Sequence, residues 1–197
     1  MELNAHSTAF LACHFENDVV GADGAFAPFF RAEVEKHGVL DVAKRLVDGA
    51  RSAGAQVVYT NVAFAAGHSD LVTNIPLLEV VAQQQSLLDN TPATEIVDEL
   101  KPEADDWIST NPKVSAFASS DLDERLRAAG IDTVVIFGVA TNISVESTGR
   151  AAGDLGYRVI VVSDACSAAA QEVHEATLAS FGLLGEVATA DEVLAAL

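Results

Sequence analysis

The stretch FGVATNISVEST, residues 137–148, places a small polar side chain where a fold can present a nucleophile. An apolar strand, Thr133 to Phe137, runs into a glycine and a short Val-Ala-Thr-Asn turn, and a helix is predicted to begin at once. Ser144 falls in the first turn of that helix. Because a serine hydroxyl attacks a carbonyl only when an adjacent base accepts its proton, Ser144 needs a basic partner to do chemistry.

The rest of the chain predicts strands and helices in alternation. Helix-like segments carry apolar residues at three- and four-residue steps, as in Val39 to Ala50 and Val173 to Leu184. The alternation predicts a parallel sheet with helices on both faces. Short apolar, β-branched segments typical of buried strands occur at 8–13, 56–61, 106–109, 133–137 and 158–162, with a weak sixth at 186–188.

The ends of the predicted strands indicate where a site should lie. In open parallel sheets, ligands bind beyond the carboxyl ends of the strands. His14 and Phe15 follow the first strand, Asn111 follows the third, and the turn before Ser144 follows the fourth. His14 is the candidate base, because imidazole can accept a proton near neutral pH.

Nearly the whole chain resembles the isochorismatase-like cysteine hydrolases. The resemblance rests on STAFLACHFENDVV, VVYTNVAFAAGHSD, the long segment from NPKVSAFASSDL to VSDACSA, and HEATLASFGLLGEVATADEVL. It implies a hydrolase with the family's Rossmann-like fold, a three-layer α/β/α sandwich around a mainly parallel six-stranded sheet. It also implies a homo-oligomer, either a dimer or a tetramer.

The sequence departs from this family at the catalytic positions. The family uses an aspartate after the first strand, a lysine ahead of the SAF segment and a cysteine that opens the helix after GVxTN. Here those places hold His14, Asn111 and Ser144. Lys113 lies two positions beyond the place of the lysine and is a further candidate.

The segment GVATN keeps the family's oxyanion-binding pattern. The resemblance implies a cis peptide bond before Ala140, which turns the Ala140 amide toward a substrate oxygen beside the amide of Ser144. Preorganised amide donors of this kind stabilise a developing oxyanion. We therefore expect Ala140, Ser144, Lys113 and Phe15 to bind the oxyanion or the substrate.

Two hypotheses follow for function. In the first, the chain is an isochorismatase-like hydrolase with an altered triad that acts on a small carbonyl- or ether-bearing metabolite. His14 would then serve Ser144 as a base in a dyad, or act alone as a general acid, while Asn111 positions the substrate. In the second, the chain is a catalytically inactive pseudoenzyme that binds a small molecule or a partner protein, since no residue of the usual triad is present.

Composition restricts the other possibilities. The chain has 197 residues, enough for a single domain over 1–197, and a formal net charge of −18. Such a charge argues against nucleic acid or an anionic membrane as a partner. With no signal pattern and no apolar run of transmembrane length, we expect a soluble, cytoplasmic protein. Cys13 and Cys166 are expected to be buried free thiols, and no metal or cofactor is expected.

Residues 64–101 interrupt the alternation of strands and helices. The segment leaves the carboxyl end of a strand and contains Gly67, Pro76, Pro92 and the helix-like patch LLEVVAQQQSLL. A long excursion from that position is typical of a lid over a pocket or of a contact with a partner subunit. The aromatic stretch FAPFF, residues 26–30, is likewise expected to form a pocket wall or a subunit contact.

Overall fold

The computed structural model describes all residues from 1 to 197. None of its helices is long and apolar enough to cross a membrane. The six strands are β1 (Thr8–Cys13), β2 (Gln56–Val62), β3 (Trp107–Asn111), β4 (Thr133–Val139), β5 (Arg158–Ser167) and β6 (Glu186–Ala188). The helices are α1 (Asn17–Val20), α2 (Ala27–Lys36), α3 (Val39–Ala53), α4 (Pro76–Gln84), α5 (Leu122–Ala128), α6 (Glu146–Asp154), α7 (Gln171–Phe181) and α8 (Ala190–Leu194). A single π-helical turn, Thr141–Val145, precedes α6, and short 3₁₀ turns occur at Ala5–Ser7, Ala66–His68, Pro92–Thr94 and Asp98–Leu100.

All six strands are parallel and lie in the order β3-β2-β1-β4-β5-β6. The chain moves outward from β1 to β3, returns to β4 on the other side of β1, and then moves outward to β6. Because such crossovers are right-handed, this reversal places α3 on one face and α5, α6 and α7 on the other. Helices α2 and α8 pack against α3. The predicted three-layer α/β/α sandwich is confirmed, and its sheet is parallel throughout.

Local sequence explains the central elements. All of β1 is buried, so its run of apolar residues is uninterrupted, as expected for a strand covered on both faces. Helix α3 buries one stripe of side chains, including Ala43, Leu46 and Val47. Gly54 adopts a left-handed conformation (φ 77°) at the end of α3, and its N–H closes the last turn on Arg51.

The topological switch point lies between β1 and β4, because the crossovers leave these neighbouring strands in opposite directions. Cys13 is paired with Gly138 at this point. Gly138 has a φ of 131°, and a Cβ added to it would collide with the carbonyl oxygen of Cys13. Only glycine therefore lets the ends of β1 and β4 approach as closely as they do.

Candidate active site

A pocket opens at this switch point, at the carboxyl edge of the sheet. The ends of four strands contribute to it, with His14 after β1, Val62 in β2, Lys113 after β3 and Ser144 after β4. Its volume is about 510 Å³, counting the part open to solvent. Thirteen of its sixteen lining residues are hydrophobic, so the three polar side chains of His14, Lys113 and Ser144 stand out in an apolar surface.

Ser144 lies in the π-helical turn between β4 and α6 and is only 6% exposed. No hydrogen bond engages its hydroxyl, which leaves that group available to a ligand or a bound water. The turn is held against helix α7, because the Thr141 hydroxyl and His174 Nδ1 of that helix are hydrogen-bonded at 2.8 Å. Both partners are buried, so this contact fixes the start of the turn that carries Ser144.

Ala140 supplies an unused hydrogen-bond donor to the same pocket. The peptide bond between Val139 and Ala140 is cis, as the family resemblance implied. The Ala140 amide donates to no backbone or side-chain acceptor, although the residue is only 4% exposed. Buried amides are almost always paired in folded proteins. An unpaired amide in a pocket wall is therefore a candidate ligand-binding group.

The backbone of His14 is still hydrogen-bonded to the neighbouring strand, but its conformation is no longer that of a strand. Its N–H donates to the carbonyl of Thr60 at 3.1 Å, and its φ of 56° lies in the left-handed region. For a residue with a Cβ this conformation costs about 1 kcal/mol or more. Burial lowers the pKa of His14 to about 4, and a hydrogen bond with the backbone of Val114 acts in the opposite direction. The imidazole is therefore neutral at neutral pH.

No direct hydrogen bond joins the side chains of His14 and Ser144, although both line the one pocket. A proton passing between them would need a bridging water or a bound substrate. The pocket contains no carboxylate, so no acidic side chain orients the imidazole from within it.

Comparison with known proteins shows the family to which the chain belongs. The sequence model of the isochorismatase domain matches residues 8–192. The chain belongs to the isochorismatase family. It is 40% identical over 157 residues to an uncharacterized isochorismatase family protein, YwoC, of Bacillus subtilis, covering 79% of this chain and 82% of that one.

Solved structures agree with this membership in the isochorismatase family. A cysteine hydrolase from Pseudomonas syringae pv. phaseolicola superposes with a TM-score of 0.90 at 26% identity, over 100% of this chain and 94% of that one. The N-carbamoylsarcosine amidase of Thermoplasma acidophilum superposes with a TM-score of 0.76 at 26% identity, over 94% and 97% of the two chains. The chain is thus a member of a family of hydrolases.

Of the residues that the sequence nominated, the structure brings together His14, Ser144, Ala140 and Lys113. Asn111 does not join them in this isochorismatase-family pocket. Its side-chain amide donates to the carbonyls of Ser115, Ala116 and Ala118 at 2.8 to 3.2 Å. Its carbonyl accepts the N–H of Lys113 at 3.1 Å. The expected contact of Asn111 with substrate is corrected, because its polar atoms instead hold the loop that carries Lys113.

Phe15 is also absent from the pocket lining. Its side chain is fully buried, and its ring packs against Phe137 with 5.9 Å between the centroids. The expected substrate contact of Phe15 is therefore replaced by a contact in the hydrophobic core. Phe26 and Phe30 of the FAPFF stretch do line the pocket, as one of the two interpretations expected, whereas Phe29 is 47% exposed.

The excursion over residues 64–101 forms one wall of the pocket. Phe64, Leu77, Leu78, Val81 and Leu87 all line it. The sequence analysis interpreted this segment as a lid over a pocket or a subunit contact, but it named none of these residues as part of a site. Asp18 holds the segment in place, since its carboxylate accepts the N–H of Leu87 at 2.8 Å.

A buried carboxyl group lies next to the pocket but does not line it. Glu16 is fully buried, and its Oε1 accepts the N–H of Val62 at 2.6 Å while its Oε2 has no partner. Burial raises the pKa of Glu16 to about 8, and the charge of Asp18 adds to the effect. Glu16 is therefore largely protonated at neutral pH.

Both cysteines are buried free thiols, as predicted. Burial raises the pKa of Cys13 to about 12 and also raises that of Cys166. Thiols held in this protonated state are poor nucleophiles. Neither residue lines the pocket, so neither is a candidate nucleophile there.

Proposed function

We propose that the chain hydrolyses an acyl bond, in an ester or an amide, with Ser144 as the nucleophile and His14 as its base. The observation that carries the proposal is the convergence of three groups on one apolar pocket. They are a hydroxyl without a hydrogen bond at Ser144, a neutral imidazole at His14 and an unpaired amide at Ala140.

The first half of the reaction forms an acyl-enzyme. Ser144 Oγ attacks the carbonyl carbon while its proton passes to the neutral ring of His14, directly or through one water. The carbonyl oxygen becomes an oxyanion, which the Ala140 amide stabilises by about 3 kcal/mol. When the intermediate collapses, the bond to the leaving group breaks and the imidazolium returns the proton to that group.

The second half restores the enzyme. A water molecule attacks the acyl carbon, and His14 accepts its proton. The bond to Ser144 Oγ then breaks and the hydroxyl regains a proton from His14. The lowered pKa of His14 is compatible with these steps, because the oxyanion that forms beside the ring stabilises the imidazolium during the step in which His14 carries the proton.

The same lowered pKa argues against general-acid cleavage of an ether by His14. A group with a pKa of about 4 holds almost no proton at neutral pH, so it has little acid to deliver. A non-catalytic binding role remains the second candidate function. The observation that favours it is the lack of a direct hydrogen bond between His14 and Ser144.

Hydrolysis of short-chain p-nitrophenyl esters and matched amides tests the proposal. Ser144→Ala and His14→Gln are expected to lower kcat/KM by about a thousandfold. Ser52→Ala is the matched control, because Ser52 is exposed and its hydroxyl only donates to the carbonyl of Asp48. Equal rates for the unmutated protein and Ser144→Ala would exclude a serine nucleophile and leave the binding role.

A further inference from the structure

Lys113 is the only lysine, arginine, aspartate or glutamate that lines the mostly apolar pocket. We propose that the pocket takes a hydrophobic anion, a compact apolar body that carries one carboxylate, with the carboxylate paired to Lys113. The inference rests on the proposed function because it concerns the same pocket. It adds the chemical class of ligand that this pocket binds. It does not depend on the serine chemistry.

The charge pattern of the whole chain singles out Lys113. Lysine and arginine total 11 against 29 aspartate and glutamate residues, so most cations find an acidic neighbour. All seven arginines, Lys36 and Lys44 have a carboxylate within 4.0 Å. Only Lys101 and Lys113 have none. Lys101 is exposed to water, whereas Lys113 is half-buried in the pocket wall.

No group in the pocket compensates this charge. None of the sixteen lining residues is an aspartate or a glutamate, and the side chain of Lys113 makes no hydrogen bond. Its loop is nevertheless held firmly, since Asn111 binds three carbonyls of residues 115–118. Lys113 therefore has no carboxylate partner in the protein, and a ligand carboxylate can form a charge-assisted hydrogen bond with it.

The remaining lining defines the body of the ligand. Phe26 and Phe30 line the pocket together with Phe64, Leu78 and Val81 of the excursion over residues 64–101. Surfaces of this kind bind a flat or branched hydrocarbon group by burying its apolar area. An anion without such a body gains only the pairing with Lys113, and a neutral body gains only the burial.

Calorimetric titration with paired probes tests both requirements. Phenylacetate is compared with phenylacetamide, 2-naphthoate with 2-naphthamide, and acetate supplies the anion without the apolar body. At least one of the two aromatic carboxylates is expected to bind at least about tenfold more tightly than its neutral amide. Acetate is expected to bind more weakly than either aromatic carboxylate.

Two lysine variants locate the effect. Lys113→Met keeps the apolar stem and is expected to abolish the preference for the carboxylate. Lys101→Met removes the other unpaired lysine and is expected to leave the preference unchanged. Thermal unfolding of both variants confirms that they are folded. The proposal is overturned if neither carboxylate is preferred, if none of the probes binds, or if the preference survives in Lys113→Met.

Titrations in Ser144→Ala separate this proposal from the proposed hydrolysis. The variant prevents turnover of the amide probes and leaves Lys113 in place. A carboxylate preference in a protein that hydrolyses no ester or amide would contradict the catalytic proposal and support this one. Hydrolysis that depends on Ser144, without a carboxylate preference, would support the catalytic proposal and overturn this one.

Discussion

His14 and Ser144 enter one pocket from the ends of two adjacent strands, β1 and β4. The register between Cys13 and Gly138 sets their placement, because His14 follows the first of these residues and the turn bearing Ser144 begins shortly after the second. Burial keeps the imidazole neutral, and no carboxylate shares the pocket. The pair therefore consists of a neutral imidazole and a hydroxyl, with no acidic side chain in the same pocket.

The pH dependence of ester hydrolysis should reflect the buried state of His14. A base must be unprotonated, and with a pKa of about 4 the ring of His14 stays neutral through the mildly acidic range. We expect kcat/KM to stay level as the pH falls from neutral and to decline only on approaching a pH of about 4. A midpoint near 6.5, the value of an ordinary histidine, would contradict this account.

Circular dichroism at each pH is the control for that profile. Between 6.5 and about 4, the unfolded chain binds a proton at His14 that the folded chain does not bind. The folded state therefore loses stability as the pH falls through this window. Only points at which the protein is fully folded should enter the rate profile. Rates that rise as the pH falls would instead indicate acid catalysis by His14.

Glu16→Gln should stabilise the protein by an amount that grows with pH. Between pH 4.5 and about 8, the unfolded chain loses the Glu16 proton while the folded chain keeps it. The free energy of unfolding therefore falls as the pH rises through this window, by at most about 1.4 kcal/mol per pH unit from this group. Glutamine keeps an oxygen that can accept the Val62 N–H and has no proton to lose.

Urea unfolding of both proteins, at several pH values from 4.5 to about 8, measures this difference. The gap between Glu16→Gln and the unmutated protein should widen across the series. Asp18→Asn is a useful comparison, because the charge of Asp18 contributes to the raised pKa of Glu16. A gap independent of pH would mean that Glu16 is ionised in the folded protein.

Much of the fold could be predicted from the sequence, because buried parallel strands are continuous apolar runs. Strand β1 was predicted with its observed ends, Thr8 and Cys13. Four other strands, β2 to β5, extend further at their carboxyl ends than predicted, and β5 continues furthest, to Ser167. Polar residues enter the extensions of β3 and β5, since the pocket edge of the sheet no longer requires apolar side chains on both faces.

The candidate site was predictable only in part. His14 follows β1 directly and Ser144 lies in the turn after β4, so topology brings both to one edge of the sheet. The role of Asn111 depends on how the following loop folds back over it, which no spacing in the sequence reveals. The wall provided by α4 also needs the three-dimensional path of residues 64–101.

Gly138→Ala should prevent stable folding. A Cβ at this position would collide with the Cys13 carbonyl, and a φ of 131° is unfavourable for any residue with a side chain. We expect a loss of more than about 3 kcal/mol, or no soluble protein, by urea or thermal unfolding. Gly153→Ala is the matched control in α6, because its nearest atom lies 4.0 Å away, and it should stabilise by about 0.5 kcal/mol. Near-normal stability of Gly138→Ala would show that the ends of β1 and β4 can separate.

Covalent labelling of Ser144 tests the central claim most directly. A fluorophosphonate reacts with a serine hydroxyl that has a base and an oxyanion-binding amide, and it needs no knowledge of the natural substrate. Intact-mass and peptide-mass measurements should show one adduct, located on Ser144. Ser144→Ala should abolish it, His14→Gln should slow its formation, and Ser52→Ala should leave it unchanged. A folded protein that forms no adduct, or forms it on another residue, would contradict the proposed role of Ser144 as a nucleophile.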